Sequence, residues 1–149
     1  MLIQQLSVFL DNSPGRLNAA TKVLSEAGIN MRALTLADTS DFGVLRVIVD
    51  KPEEAMAILR KNNFAAKMTE VLVVEMEDTP GGLTTILDIL EDGGINIEYM
   101  YAFAGTKPRK ALMIFRVNKA DEAIDLLKSK NVRLFSTEED IDELIHVYW

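Results

Sequence analysis

The 149-residue sequence contains no cysteine, one histidine, one tryptophan and only four prolines. Without cysteine there is no disulfide framework, no thiolate metal site and no thiol nucleophile. His146 stands alone, with no H-x-x-x-H spacing to hold a metal and no nucleophile motif to serve as a general base. No apolar run approaches the ~18–20 residues that span a bilayer. The opening MLIQQLSVFLDNS lacks the basic region, long apolar stretch and small-residue cleavage site of a signal peptide. A cytoplasmic protein is therefore expected. A basic stripe is missing as well. Net charge is −7, with eight acids and eight bases in residues 1–70 but fifteen acids and eight bases in residues 71–149. That acidic second half argues against nucleic acid and against an anionic membrane surface as partners.

What the sequence does have is a repeat. A shift of 66 positions puts Pro14 on Pro80, Gly15 on Gly81, Leu17 on Leu83 and Leu24 on Leu90. The same shift lays Gly28-Ile29-Asn30 on Gly94-Ile95-Asn96. A shift of 68 then matches Val49 with Val117, Lys51 with Lys119 and Glu53-Glu54-Ala55 with Asp121-Glu122-Ala123. The chain reads as two copies of one unit, residues 1–69 and 70–149, joined near Glu70 without a Pro/Gly/Ser linker.

Each copy spells a strand, a helix, two strands, a helix and a strand. LIQQLSVFL, rich in large apolar residues and ending at turn formers, is the first strand. Ser13 offers an N-cap and Pro14 a first helical residue, followed by Leu17, Ala20, Val23, Leu24 and Ala27 at helical spacing. Gly28 is suited to end that helix in the left-handed conformation. GVLRVIVD is the third strand and Pro52 opens the second helix. AAKMTE is expected to run straight into VLVVEM. In the tail, STEEDIDEL predicts a short extra helix. Two helices against an antiparallel four-stranded sheet is the ferredoxin-like α+β arrangement, here in tandem. The third strands, Val44 to Val49 and Leu112 to Val117, are apolar on both sides. Both faces of each sheet should be covered, by the other sheet or by a second chain, and a homodimer is expected.

D-x-x-P-G-x-L (Asp11–Leu17) followed by a helix and G-I-N (Gly28–Asn30) resembles the ACT domain, and D-T-P-G-G-L (Asp78–Leu83) with G-I-N-I (Gly94–Ile97) repeats it. The whole chain is similar to small stand-alone tandem ACT proteins. The resemblance implies a regulatory protein, not an enzyme, that binds an amino acid between ACT units and controls a metabolic enzyme or regulator, with no cofactor. It implies a first ligand-binding set of Asp11, Asn12, Ser13, Pro14, Gly15, Arg16 and Leu17 with Asn30 and Met31. The second set is Asp78, Thr79, Gly81, Gly82 and Leu83 with Asn96 and Ile97. Each loop is completed by the start of the second strand from a neighbouring unit. Where the family often has an amide two residues before the proline, Asn12 conforms and Asp78 departs.

Elementary chemistry points the same way. An amino acid is a zwitterion, and a helix N-terminus offers free N–H groups to its carboxylate. A carboxylate such as Asp11 or Asp78 accepts from the ammonium, and an Asn amide both donates and accepts. Plainer readings stand beside these. The acids and hydroxyls before Pro-Gly serve as helix caps, Asn30 and Asn96 as turn residues, and Tyr99, Tyr101 and Phe103 as core. Glu138–Glu143 then form a solvated helix face and Gly105–Lys110 a solubilising hairpin. Two other function classes fit the scaffold: a small acylphosphatase- or mutase-like enzyme, for which Arg16 has no counterpart at Gly82, and a structural interaction module.

Overall fold

Leu6, Val8 and Leu10 alternate with Gln5, Ser7 and Phe9 over the two-residue period of a strand. The computed structural model describes residues 2–38, 41–103, 108–136 and 140. In chain order the elements are β1 (Ile3–Asp11), α1 (Arg16–Glu26), β2 (Met31–Asp38), β3 (Phe42–Val49), α2 (Pro52–Lys61) and β4 (Ala65–Glu77). They continue with α3 (Gly82–Asp92), β5 (Ile97–Ala102), β6 (Lys110–Val117) and α4 (Ala120–Ser129). β4 is one unbroken strand across the repeat junction, as AAKMTEVLVVEM suggests. The expected tail helix, and Gly105–Lys107 of the hairpin, lie outside the described residues.

The chain divides into two compact units. One is Gln4–Thr69; the other runs from Glu70 onward and includes the first three residues. In the first, β3 lies between β2 and β1, antiparallel to both, and β1 is followed by the first part of β4. In the second, β6 lies between β4 and β5, again antiparallel to both. The place of a fourth strand is held by Arg133–Phe135. Leu134 bridges Val74, the Phe135 N–H donates to the Val73 carbonyl at 3.0 Å, and the Glu75 N–H to that of Arg133 at 3.0 Å.

The helices cover one face of each sheet. Ala20 and Leu24 of α1 and Ala55 and Leu59 of α2 pack on Leu6, Val8, Leu45 and Val47, all buried. In the second unit Ile86, Leu90, Ala123 and Leu127 pack on Leu72, Val74, Met113 and Phe115. Full burial stabilises each such large side chain by about 1.5–3 kcal/mol. Leu2, just before β1, packs against this second core. The opposite sheet faces are buried too, through Ala33, Val44 and Ile48 in one unit and Val71, Val73, Leu112 and Ile114 in the other. Gln5 and Ser7 are buried on that side, where the Gln5 amide donates to the Ser7 hydroxyl at 3.3 Å. Tyr101 and Phe103 are buried as well, which favours their core reading.

The helix starts differ from the expectation. Ser13 is not an N-cap and Pro14 is not the first helical residue. α1 begins at Arg16 with Gly15 as N-cap, and α3 at Gly82 with Gly81 as N-cap, each glycine at φ 86° and with no side-chain cap. The Ser13 N–H donates to the Asp11 carbonyl at 2.8 Å, and a turn occupies the two positions where the helix was expected. The chain leaves that turn through a left-handed residue, which glycine adopts without a Cβ penalty. The C-terminal expectation holds. Gly28 has φ 73°, and the Ile29 N–H closes the helix on the Leu24 carbonyl at 3.0 Å.

Candidate ligand site

Asp11, Asn12, Ser13, Pro14 and Gly15 are all exposed at the end of β1, with Arg16 half-buried behind them. No side chain caps α1, so the loop leaves N–H groups of its first turn without a side-chain acceptor. A Cβ built on Gly15 would meet nothing within 4 Å, so the backbone there faces open space. Asp11 is not isolated: the Arg16 Nε lies 4.0 Å from its carboxylate. The Arg16 guanidinium sits 4.5 Å over the Phe64 ring, tying the loop to the chain just past α2. Leu17 is 36% exposed beside it.

In the second unit Asp78, Thr79 and Gly81 are likewise exposed. The Asp78 N–H donates to the Arg109 carbonyl at 2.9 Å, and the Gly82 N–H to the Thr79 carbonyl at 3.0 Å. A Cβ on Gly82 would come 2.0 Å from the Glu77 carbonyl oxygen, so this glycine is required by space. Leu83 and Ile97 pack against the second core and Met31 against the first, so these three serve packing as well as any ligand. Beside the loop, the Lys110 ammonium donates to the Glu77 carboxylate. That hydrogen bond holds the lysine above its ordinary value, with Glu77 and Glu75 charges adding and desolvation opposing.

Asn30 and Asn96 sit at the far end of the sheet from these loops. β3 runs from Phe42, beside Asp11, to Val49, beside Met31. At ~3.3 Å per residue the loop and Asn30 are about 23 Å apart. β6 separates Glu77 from Ile97 in the same way. No single unit brings its own loop and its own Asn together. Each Asn is instead locked through its backbone. The Asn30 N–H donates to the Asp50 side chain at 3.0 Å while the Asp50 N–H returns to the Asn30 carbonyl at 3.2 Å. Asn96 and Asn118 repeat the exchange at 3.0 and 3.2 Å. Sequence reasoning missed Asp50 and Asn118. The 68-residue shift does align them, as short polar acceptors directly after matching valines.

A family model described as an ACT domain pair matches residues 1–145. The chain belongs to the ACT-domain family. No protein with a curated description matches it. A crystal structure of a Bacteroides thetaiotaomicron protein is similar at 41% identity and a TM-score of 0.86, over 91% of this chain and 92% of that one. The regulatory subunit of aspartate kinase from Thermus thermophilus, in its ligand-free form, shares the fold at 16% identity and TM-score 0.61, over 85% and 91%. The Thermus flavus subunit does so at 18% and 0.60, over 85% and 90%. Membership in an ACT pair family supports a regulatory, ligand-binding role. No described helix is long and apolar enough to cross a membrane, and among the described residues no cluster of His, Cys, Asp and Glu could hold a metal ion.

Proposed function

We propose that this ACT pair is a non-catalytic sensor of a free amino acid in the cytoplasm, acting as a homodimer and passing its state to a metabolic enzyme or regulator. The observation that carries the reading is the β1–α1 loop of the first unit. It presents an uncapped helix start, an exposed Asp11 and Asn12, and a glycine with open space above it. Uncapped N–H groups suit the ligand carboxylate, and exposed carboxylate and amide groups suit its ammonium. Asn30 lies too far away to complete this loop from within the unit, so the second half of the site comes from a second copy of the chain. Edge strand β2 supports such pairing. It is hydrogen-bonded on one side only, and its Leu34 and Leu36 are 49% and 50% exposed. Ligand at the seam stabilises one arrangement of the dimer, which is the coupling a regulator needs.

A thermal-shift screen of the common amino acids tests this reading. Ligand at one hundred times its dissociation constant raises stability by ~2.7 kcal/mol. Asn12→Ala should abolish the shift while leaving the unliganded melting temperature within a degree or so. Absence of a shift with every amino acid sinks the proposal.

A further inference from the structure

Edge strand β2 is a near-palindrome. Arg32-Ala33-Leu34-Thr35-Leu36-Ala37-Asp38 is symmetric about Thr35, except that its two outermost residues carry opposite charges. That exception is the one a self-pairing strand needs. When such a strand lies antiparallel to a copy of itself with Thr35 facing Thr35, Leu34 faces Leu36, Ala33 faces Ala37 and Arg32 faces Asp38. Each of these pairs then forms twice. Directly opposed residues on antiparallel strands share a face and touch, and opposite charges there attract while like charges repel.

The fold leaves β2 open to such a partner. It stands at the end of the strand order, with β3 on its inner side. Leu34 and Leu36 oppose Val47 and Leu45 of β3, both members of the core beneath α1 and α2. Yet they remain 49% and 50% exposed, so the helices leave the outer end of this face uncovered. Asp38 is exposed at one end of the leucine row, and half-buried Arg32 lies at the other, where the register with β3 shifts between Met31 and Ala33.

The second unit has no such edge. The 66-residue shift puts Glu98 at the place of Arg32, Met100 at that of Leu34, Ala102 at that of Leu36 and Ala104 at that of Asp38. β5 therefore carries an acid with no base to answer it in a copy of the same strand. Glu98 is already engaged by Arg116 at 3.2 Å, and Met100 packs against the second core. One strand edge of the two is self-complementary. A patch that pairs with its own copy about a two-fold axis uses itself up, so the assembly closes at two chains.

We infer that β2 pairs antiparallel with β2 of a second copy in the register centred on Thr35, set by Arg32 against Asp38, and that this seam closes the dimer through the first unit alone. The pairing gives the homodimer proposed above its register and rests on that assembly, not on what the sensor binds.

Analytical ultracentrifugation of the full chain and its charge variants provides the test. The unaltered chain should sediment as a dimer. Arg32→Asp and Asp38→Arg each set like charges together at both ends of the seam, and each should raise the dimer dissociation constant about tenfold or more. The variant carrying both exchanges restores complementarity and should recover the dimer. Because the chain has no cysteine, Thr35→Cys supplies a single thiol that faces its own copy. Oxidation with copper phenanthroline should link it into a disulfide dimer. Ala37→Cys, whose two copies lie about 13 Å apart along the seam, should link at roughly a tenth of that rate or less. An unaltered chain that sediments as a monomer overturns this pairing and the homodimer together. A stable dimer that ignores both single exchanges, or is not recovered by the double one, overturns the Thr35 register and leaves the homodimer standing. So does Ala37→Cys linking as fast as Thr35→Cys. Asp38 is exposed, so Asp38→Arg keeps the test decisive should Arg32→Asp fail to fold.

Discussion

Asn30 and Asp50 hold each other by two hydrogen bonds, one from the Asn30 N–H to the Asp50 carboxylate at 3.0 Å and one from the Asp50 N–H to the Asn30 carbonyl at 3.2 Å. The pair fixes the first residues of β2 to the end of β3. Asp50→Ala removes the side-chain acceptor and should cost about 1 kcal/mol by urea denaturation. Asp50→Asn, which copies Asn118 of the second unit, should recover most of it. An equal loss in both variants would show that charge, and not the accepted hydrogen bond, is what matters.

Gly15 and Gly82 should respond differently to alanine. Gly15→Ala meets no atom but must keep φ 86°, a conformational cost of roughly 1–2 kcal/mol. Gly82→Ala sets its Cβ 2.0 Å from the Glu77 carbonyl oxygen, so the strand end must move. The melting temperature should fall further for Gly82→Ala than for Gly15→Ala. The reverse order would contradict the close approach at Glu77.

Arg16 stabilises the first loop through its contact with Phe64 and its proximity to Asp11. Arg16→Ala should cost about 1 kcal/mol, mostly from the lost stacking and stem packing. Arg16→Lys keeps the charge but not the flat guanidinium, and should restore only part. Full restoration by lysine, read from chemical denaturation, would assign the effect to charge alone.

Much of this was legible in the sequence. Two shifts, of 66 and 68 residues, reveal the repeat and the order of its strands and helices, because hydrophobic period and turn residues are local properties of the chain. Helix starts were less legible. Ser13 and Pro14 make a sound cap on paper, yet the chain spends them on a turn and starts α1 from a left-handed Gly15. The distance from Asp11 to Asn30 was hidden too, since it depends on the direction of β3 and on its register. So was the pocket that Gly82 and Val132 line together, since those residues lie far apart in the sequence and only the fold makes them neighbours.

Lys110 gives the protein a pH signature. Its folded pKa is raised above the ordinary lysine value of 10.5 by its hydrogen bond to Glu77, with coulombic help from Glu77 and Glu75 against desolvation. A raised lysine adds stability that is fully present below its unfolded pKa and fades as pH climbs through the folded one. Wild type should therefore out-melt Lys110→Met by a constant margin through neutral pH. The margin should close above pH 10.5. A gap that persists unchanged in that alkaline range would deny the pair any stabilising role.

Gly82 also limits how alike the two halves can become. The repeat sets it against Arg16, yet any side chain placed there would strike the Glu77 carbonyl at its first carbon. The loop would have to be rebuilt before the second half could carry an arginine at this position. A one-step exchange between the halves is closed.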